Sequence, residues 1–179
     1  MNQQLLLTIN SWAGNYSLLD SAMVFCAQQL IYGVFLGAAI WLAWALRRRH
    51  FRAFFGFIAS LALSFMLALV ISHLYIEPRP FVTHHVLQLI PHAPDQAFPS
   101  DHTLAAGAIA FAFLFFTRLK KFGWLLLAIA ALIGFSRIFT GVHYPGDIIG
   151  AIAIALFGAT LIHVGSRYAR PVTTTTPTS

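Results

Sequence analysis

The stretch FGWLLLAIAALIGFSRIFTGVHYPGDIIGAIAIALFGATLIHVGS, residues 122–166, decides the fold. It contains two apolar runs, 122–138 and 147–166, each close to the roughly 20 residues an α-helix needs to cross a bilayer. A polar stretch carrying Ser136, Arg137, Thr140, His143 and Asp147 leaves the first run and enters the second. Upstream, residues 22–46, 53–76 and 102–117 qualify in the same way. The sequence therefore predicts an all-α integral membrane helix bundle with five transmembrane helices. Residues 3–12 read as a short interfacial helix, with Trp12 and Tyr16 at the headgroup level. A sixth span would require that segment to re-enter. The start, MNQQLLLTINSWAGN, lacks the positive n-region of a cleavable signal peptide. Residues 1–170 read as one transmembrane domain, and 171–179, PVTTTTPTS, as a polar tail too short to pack.

Composition agrees with this reading. Hydrophobic residues make up 59% of the 179 and charged residues 9%, against about 25% charged in a soluble domain. That excludes an ordinary cytosolic globule, a disordered chain, collagen and a coiled coil. Cys26 is the single cysteine, so neither an intramolecular disulfide nor a cysteine zinc site is available. Basic residues outnumber acidic ones eleven to five. In a membrane chain such an excess reflects loop bias rather than a nucleic-acid partner.

The basic residues sort by topology. Arg47, Arg48, Arg49 and Arg52 lie between the first two spans, Arg118, Lys120 and Lys121 between the third and fourth, and Arg167 and Arg170 after the fifth. Five spans put all three groups on one side, which the positive-inside rule assigns to the cytoplasm. Arg79 and Arg137 fall on the other side, with all five acids: Asp20, Glu77, Asp95, Asp101 and Asp147. Two arginines against the rule need a separate explanation.

Three short segments meet at that outer face: Glu77-Pro78-Arg79-Pro80, Pro99-Ser100-Asp101-His102, and Ser136 through Asp147. Arginine offers a planar fork that matches phosphate oxygens in pairs. Ser100 reads as the N-cap of a helix whose free N–H groups favour an anion, with Pro99 ending the loop before it. His143 precedes a helix started by Pro145, and Asp147 stands four residues on, within reach of the imidazole. A carboxylate there fixes the tautomer and leaves the other ring nitrogen as a nucleophile. Singly, each residue has an ordinary use: Arg79 could pair with Glu77, Arg137 could anchor at the interface, His102 could bond a helix-end carbonyl, and Asp101 or Asp147 could favour a helix N-terminus. Together those uses do not account for the clustering at one face.

The pattern resembles the type 2 phosphatidic acid phosphatase superfamily, whose signature is K-x6-R-P, then P-S-G-H, then S-R-x5-H-x3-D. The third part is matched by Ser136, Arg137, His143 and Asp147. The second is matched except that Asp101 stands in place of Gly. The first keeps Arg79 and Pro80 but has Ser72 at the Lys position. The runs EPRPFV, FPSDH and GVHYPGD look most like the bacitracin-resistance-type undecaprenyl pyrophosphate phosphatases. The resemblance implies His143 as nucleophile, Asp147 as its orienting partner and His102 as the proton donor to the leaving group. It implies Arg79, Arg137, Ser100 and Ser136 as phosphate ligands, flanked by Pro99 and Asp101. It implies no metal and no cofactor. His73, beside Ser72, is a candidate substitute for the absent Lys, although neighbouring helical residues point about 100° apart.

Other polar residues receive ordinary readings. His84, His85, His92 and Asp95 match no strong zinc spacing and read as water-exposed loop residues. Gln28, Gln29, Ser60 and Ser64 read as interhelical hydrogen bonders, and Trp41, Trp44 and Trp124 as an inner aromatic belt. The leading expectation is a lipid phosphatase of the bacterial cell membrane, acting at the outer leaflet on undecaprenyl pyrophosphate. Phosphatidylglycerol phosphate or phosphatidate hydrolysis, or lipid phosphotransfer, comes next. A small anion transporter would place its charges along a path near the midplane. A serine hydrolase of the α/β-hydrolase type would carry G-x-S-x-G, which is absent.

Overall fold

Helix ends fall where charges, prolines and glycines interrupt the apolar runs. In the computed structural model, which describes residues 1–168, the helices are α1 (Asn2–Asn10), α2 (Ser17–Gln28), α3 (Leu30–Arg47), α4 (Phe51–Leu74), α5 (Pro80–Thr83), α6 (Asp101–Phe116), α7 (Lys120–Phe139) and α8 (Pro145–Tyr168). Among the described residues there is no strand, only an isolated antiparallel bridge between Pro78 and Gln96. The polar tail expected at 171–179 lies outside the described residues.

Four runs are long and apolar enough to cross a membrane: Ser17–Arg47, Phe51–Leu74, Lys120–Phe139 and Pro145–Tyr168. The remaining expected span, 102–117, forms α6, which is shorter at 16 residues. At 1.5 Å per residue it extends only about 24 Å. Its position explains why a short helix suffices. Every residue from Thr103 to Phe113 is buried, so its flanks meet protein on all sides. Ala105, Ala106, Gly107, Ala108, Ala110 and Ala112 are small, which lets α4, α7 and α8 pack closely around it. The first span begins at Ser17 rather than near residue 22, and it is interrupted at Gln29.

Trp41 departs from the expected aromatic belt. It is buried, with its ring centroid 5.0 Å from Phe57 and 5.6 Å from Phe113. Trp44 and Trp124 remain exposed.

Helix α1 is held by specific bonds to the connection between α7 and α8. Leu6 is fully buried beside Ala97, Ile138 and Tyr144. The Asn10 amide donates to Leu87 O at 2.9 Å and Phe139 O at 2.8 Å, and its oxygen accepts from Leu87 N. Asn2 Oδ1 accepts from Gly146 N at 2.8 Å, in the first turn of α8. Trp12 and Tyr16 stay exposed just beyond this helix. The α7–α8 connection itself turns at Gly141, whose φ of +78° is favourable only without a Cβ. Gly141 N donates to Ile138 O and Val142 N to Arg137 O, the paired bonds of a Schellman cap. A Cβ at Gly141 would also lie 2.7 Å from Leu87 O. This turn brings His143 back toward Arg79.

Candidate active site

The ends of α6 and α7, the start of α8 and the α4–α6 loop converge at one end of the bundle. Ser100 caps α6 by position, but its hydroxyl pairs with Thr103 Oγ1 at 3.1 Å instead of a backbone N–H. Ser100 N donates to Asp147 O, which ties the start of α6 to the start of α8. Pro99 is buried immediately before the cap.

His143 lies at the centre and is 2% exposed. Its Nε2 is 3.1 Å from Arg79 Nη1, and its Nδ1 is 3.1 Å from Asp147 Oδ2. A guanidinium can only donate, so Nε2 accepts. The proton then sits on Nδ1 and is donated to Asp147. The same carboxylate oxygen accepts from Tyr144 N at 2.8 Å, while Oδ1 is buried without a partner among the described residues. Burial, reinforced by the charges of Arg137 and Arg79, pushes the His143 imidazole well below its ordinary pKa. A neutral ring with its lone pair on Nε2 is the form a nucleophilic histidine needs.

Arg79 is buried at the N-cap of the short helix α5. Besides His143, it donates through Nη1 to Val142 O at 3.1 Å and through Nε to Asp95. Burial alone would raise the Asp95 carboxyl, but the bond and the charge of Arg79 outweigh it and hold Asp95 below its ordinary value. Arg137, 3% exposed in the last turn of α7, donates through Nη1 to Ala27 O at 3.3 Å. Its Nε has no partner among the described residues. Arg137 and His102 face a hollow of about 260 Å³, together with Gln28, Gln29, Tyr32 and His92.

The structure thus gathers His143, Asp147, Arg79, Arg137, Ser100 and His102 at one end of the bundle. Asp101 is exposed and makes no hydrogen bond or ion pair among the described residues. Ser136 is buried in the same turn as Arg137, but its hydroxyl bonds Ile133 O at 2.7 Å, back along its own helix. Ser72 and His73 also turn back, both to Leu69 O, and the structure gives His73 no contact with the cluster. His73→Ala is accordingly expected to leave kcat/KM within about twofold, as for a surface substitution. A larger loss in steady-state kinetics would return His73 to the site.

Four residues of the site were read otherwise from sequence. Asp95 is exposed, as expected of the loop, but it is not unpaired, and His92 is only partly exposed. Asp95 pairs with Arg79, and the His92 ring centroid lies 6.3 Å from that of His143. Gln28 and Gln29 line the hollow instead of bonding another helix. Polar residues in a membrane span are functional candidates by default, and that signal was present in the Gln pair.

Residues 53–171 match the model of the PAP2 superfamily. The chain belongs to that superfamily. Among relatives of this PAP2 protein, undecaprenyl-diphosphatase BcrC of Bacillus subtilis (strain 168) is 42% identical over 175 residues, covering 96% of this chain and 87% of the relative. Putative undecaprenyl-diphosphatase YbjG of Escherichia coli (strain K12) is 32% identical over 158 residues, covering 88% of this chain and 79% of the relative. The crystal structure of Aquifex aeolicus LpxE superposes with a TM-score of 0.73 at 26% identity, covering 90% of this chain and 93% of that one. Family and apolar helices together make this chain a multi-pass membrane lipid phosphatase.

Proposed function

We propose that this PAP2 phosphatase hydrolyses a polyprenyl pyrophosphate of the undecaprenyl class to its monophosphate at the outer leaflet. The observation that carries the reaction is the position of the His143 ring, with Asp147 on one nitrogen and Arg79 on the other. A terminal phosphoryl group taken up by Arg79 and Arg137 would arrive beside Nε2. The Nε2 lone pair attacks phosphorus and the anhydride P–O bond breaks. The lipid monophosphate leaves with a proton from His102. Water then attacks the phosphohistidine, His102 takes its proton, and the P–N bond breaks to release inorganic phosphate. Asp147 stabilises the positive imidazole while the P–N bond exists.

The choice of lipid rests on the undecaprenyl-diphosphatase relatives, which match along nearly the whole chain. A diphosphate also suits a site with two buried guanidinium groups, since each fork can bind two oxygens. The test is phosphate release by purified protein from a panel of undecaprenyl pyrophosphate, phosphatidylglycerol phosphate and phosphatidate. The expected order puts the pyrophosphate first by kcat/KM. A preference for either glycerolipid would overturn the substrate assignment and leave the phosphatase chemistry intact.

Orientation is separable from chemistry. The basic loops lie at the end of the bundle opposite the site, so the positive-inside rule puts them in the cytoplasm. A reporter fused after Arg170 is expected to read cytoplasmic, and a tag beside His92 to be labelled from outside. The reverse pattern would move the reaction to the inner leaflet.

A further inference from the structure

The end of the bundle opposite the candidate active site has its own architecture. Two concavities adjoin there and share His50, Ala53 and Phe116. The larger, about 980 Å³, is a cleft walled by Trp41, Trp44, Phe113, Phe116 and Phe122, with Arg118 also lining it. The smaller, about 500 Å³, is lined by Arg49, Arg52, His163 and Arg167. Apolar wall and cationic basin are therefore continuous.

Topology accounts for basic residues in these loops, but not for their convergence on one basin. Arg49 comes from the α3–α4 turn, Arg52 from the first turn of α4, and Arg167 from the last turn of α8. Arg52 Nη2 donates to Ser166 O, which fastens the two elements together. The His163 ring, in the wall of the basin, is stacked on Phe115 with centroids 5.1 Å apart. Arg49 occupies a costly conformation. Arg49 N donates to Leu46 O and His50 N to Ala45 O, a Schellman cap in which Arg49, with φ of +58°, takes the position that favours glycine. The turn at Gly141 uses glycine for the same purpose. A charged side chain is thus kept at this corner against backbone preference.

Among the described residues no carboxylate answers these cations. All five acids lie toward the other end, and no ion pair among the described residues involves Arg49, Arg52, Arg118 or Arg167. The counter-charge must come from outside the described residues. A soluble anion would use the basin and leave the aromatic cleft unfilled. A phospholipid satisfies both halves, with a phosphate in the basin and an acyl chain along Trp41 and Trp44. Basic pockets between transmembrane helices at the cytoplasmic level are where anionic lipid headgroups are recognised. We propose that this end of the protein is a binding site for an anionic phospholipid, with Arg49, Arg52 and Arg167 holding the headgroup phosphate and the Trp41–Trp44 cleft holding a chain. The site is distinct from the reacting centre and takes a lipid that is not turned over.

The two indoles supply the readout. In a Trp12→Phe, Trp124→Phe background, Trp41 and Trp44 are the only tryptophans. The full chain is reconstituted in phosphatidylcholine vesicles containing either brominated phosphatidylglycerol or brominated phosphatidylcholine at equal mole fraction. The expected result is quenching at least about twofold stronger with the anionic lipid. Adding Arg52→Gln and Arg167→Gln should remove that excess while quenching by brominated phosphatidylcholine stays the same, which shows the cleft still folded. Equal quenching by both lipids in the parent would overturn the proposal, because the cleft would then hold any neighbouring lipid. Loss of the excess on adding inorganic phosphate at constant ionic strength would overturn it in favour of a free-anion site. Phosphate release from a short-chain substrate in detergent should not change in the arginine pair variant, so this result stands apart from the proposed reaction.

Discussion

His143→Ala is expected to reduce phosphate release to background, a loss of about 10⁴-fold or more, because no other group is placed to form the covalent intermediate. The argument is geometric. His143 is the residue that touches both Asp147 and Arg79. Rapid alkaline quench with a substrate labelled in the terminal phosphate should trap a protein-bound label in the parent and none in the variant. Near-normal turnover in His143→Ala would overturn the nucleophile assignment. The buried ring also sets a pH expectation. Since burial and the two arginines hold its pKa well below the ordinary value of about 6.5, the ring stays neutral and nucleophilic as pH falls through that value. An acid limb of kcat/KM that reports His143 should therefore lie well below it. Stability follows the same linkage. Below about pH 6.5 the unfolded imidazole binds a proton that the folded one does not. The stability this contributes is complete above that pH and is lost as pH falls below it.

How much of this could be read from the sequence differs by kind of feature. Helix positions were legible, because an apolar run of span length bounded by Arg47–Arg49 or Lys120–Lys121 has one low-cost arrangement in a bilayer. The pairing of His143 with Asp147 was legible too, since i and i+4 share a face at the start of a helix. Features that depend on distant packing were not. Asp95 looks like any loop carboxylate until the loop folds back and places it on Arg79, sixteen residues earlier. Asn10 carries no sequence sign that it bonds Leu87 and Phe139. Ser136 shows the converse: the motif letter is present, yet its hydroxyl is spent on Ile133 O. The length of α6 was legible in the run 102–117, but its burial from Thr103 to Phe113 was not, because an apolar run reads alike whether lipid or protein surrounds it.

Replacing Arg137 by leucine is expected to move stability and activity in opposite directions. Arg137 is buried, carries a permanent charge, forms no ion pair among the described residues, and leaves Nε without a partner. Its one hydrogen bond, to Ala27 O at 3.3 Å, is long. Desolvating an ion costs several kcal/mol, whereas one hydrogen bond to a charged donor returns only about 1.5–3 kcal/mol. The ligand-free protein therefore carries Arg137 at a net loss, which a bound phosphate would reverse by accepting its free donors. Arg137→Leu should leave the unfolding temperature in detergent unchanged or raise it. Loss of a preorganised donor to the transferring group should lower kcat/KM by about 10²–10³-fold. Inorganic phosphate should raise the parent's unfolding temperature, since a ligand that binds only the folded state stabilises it. It should not raise that of the variant. A destabilised variant that still turned over substrate would show that Arg137 serves to pin α7 to the α2–α3 break, and the phosphate would then need another cradle.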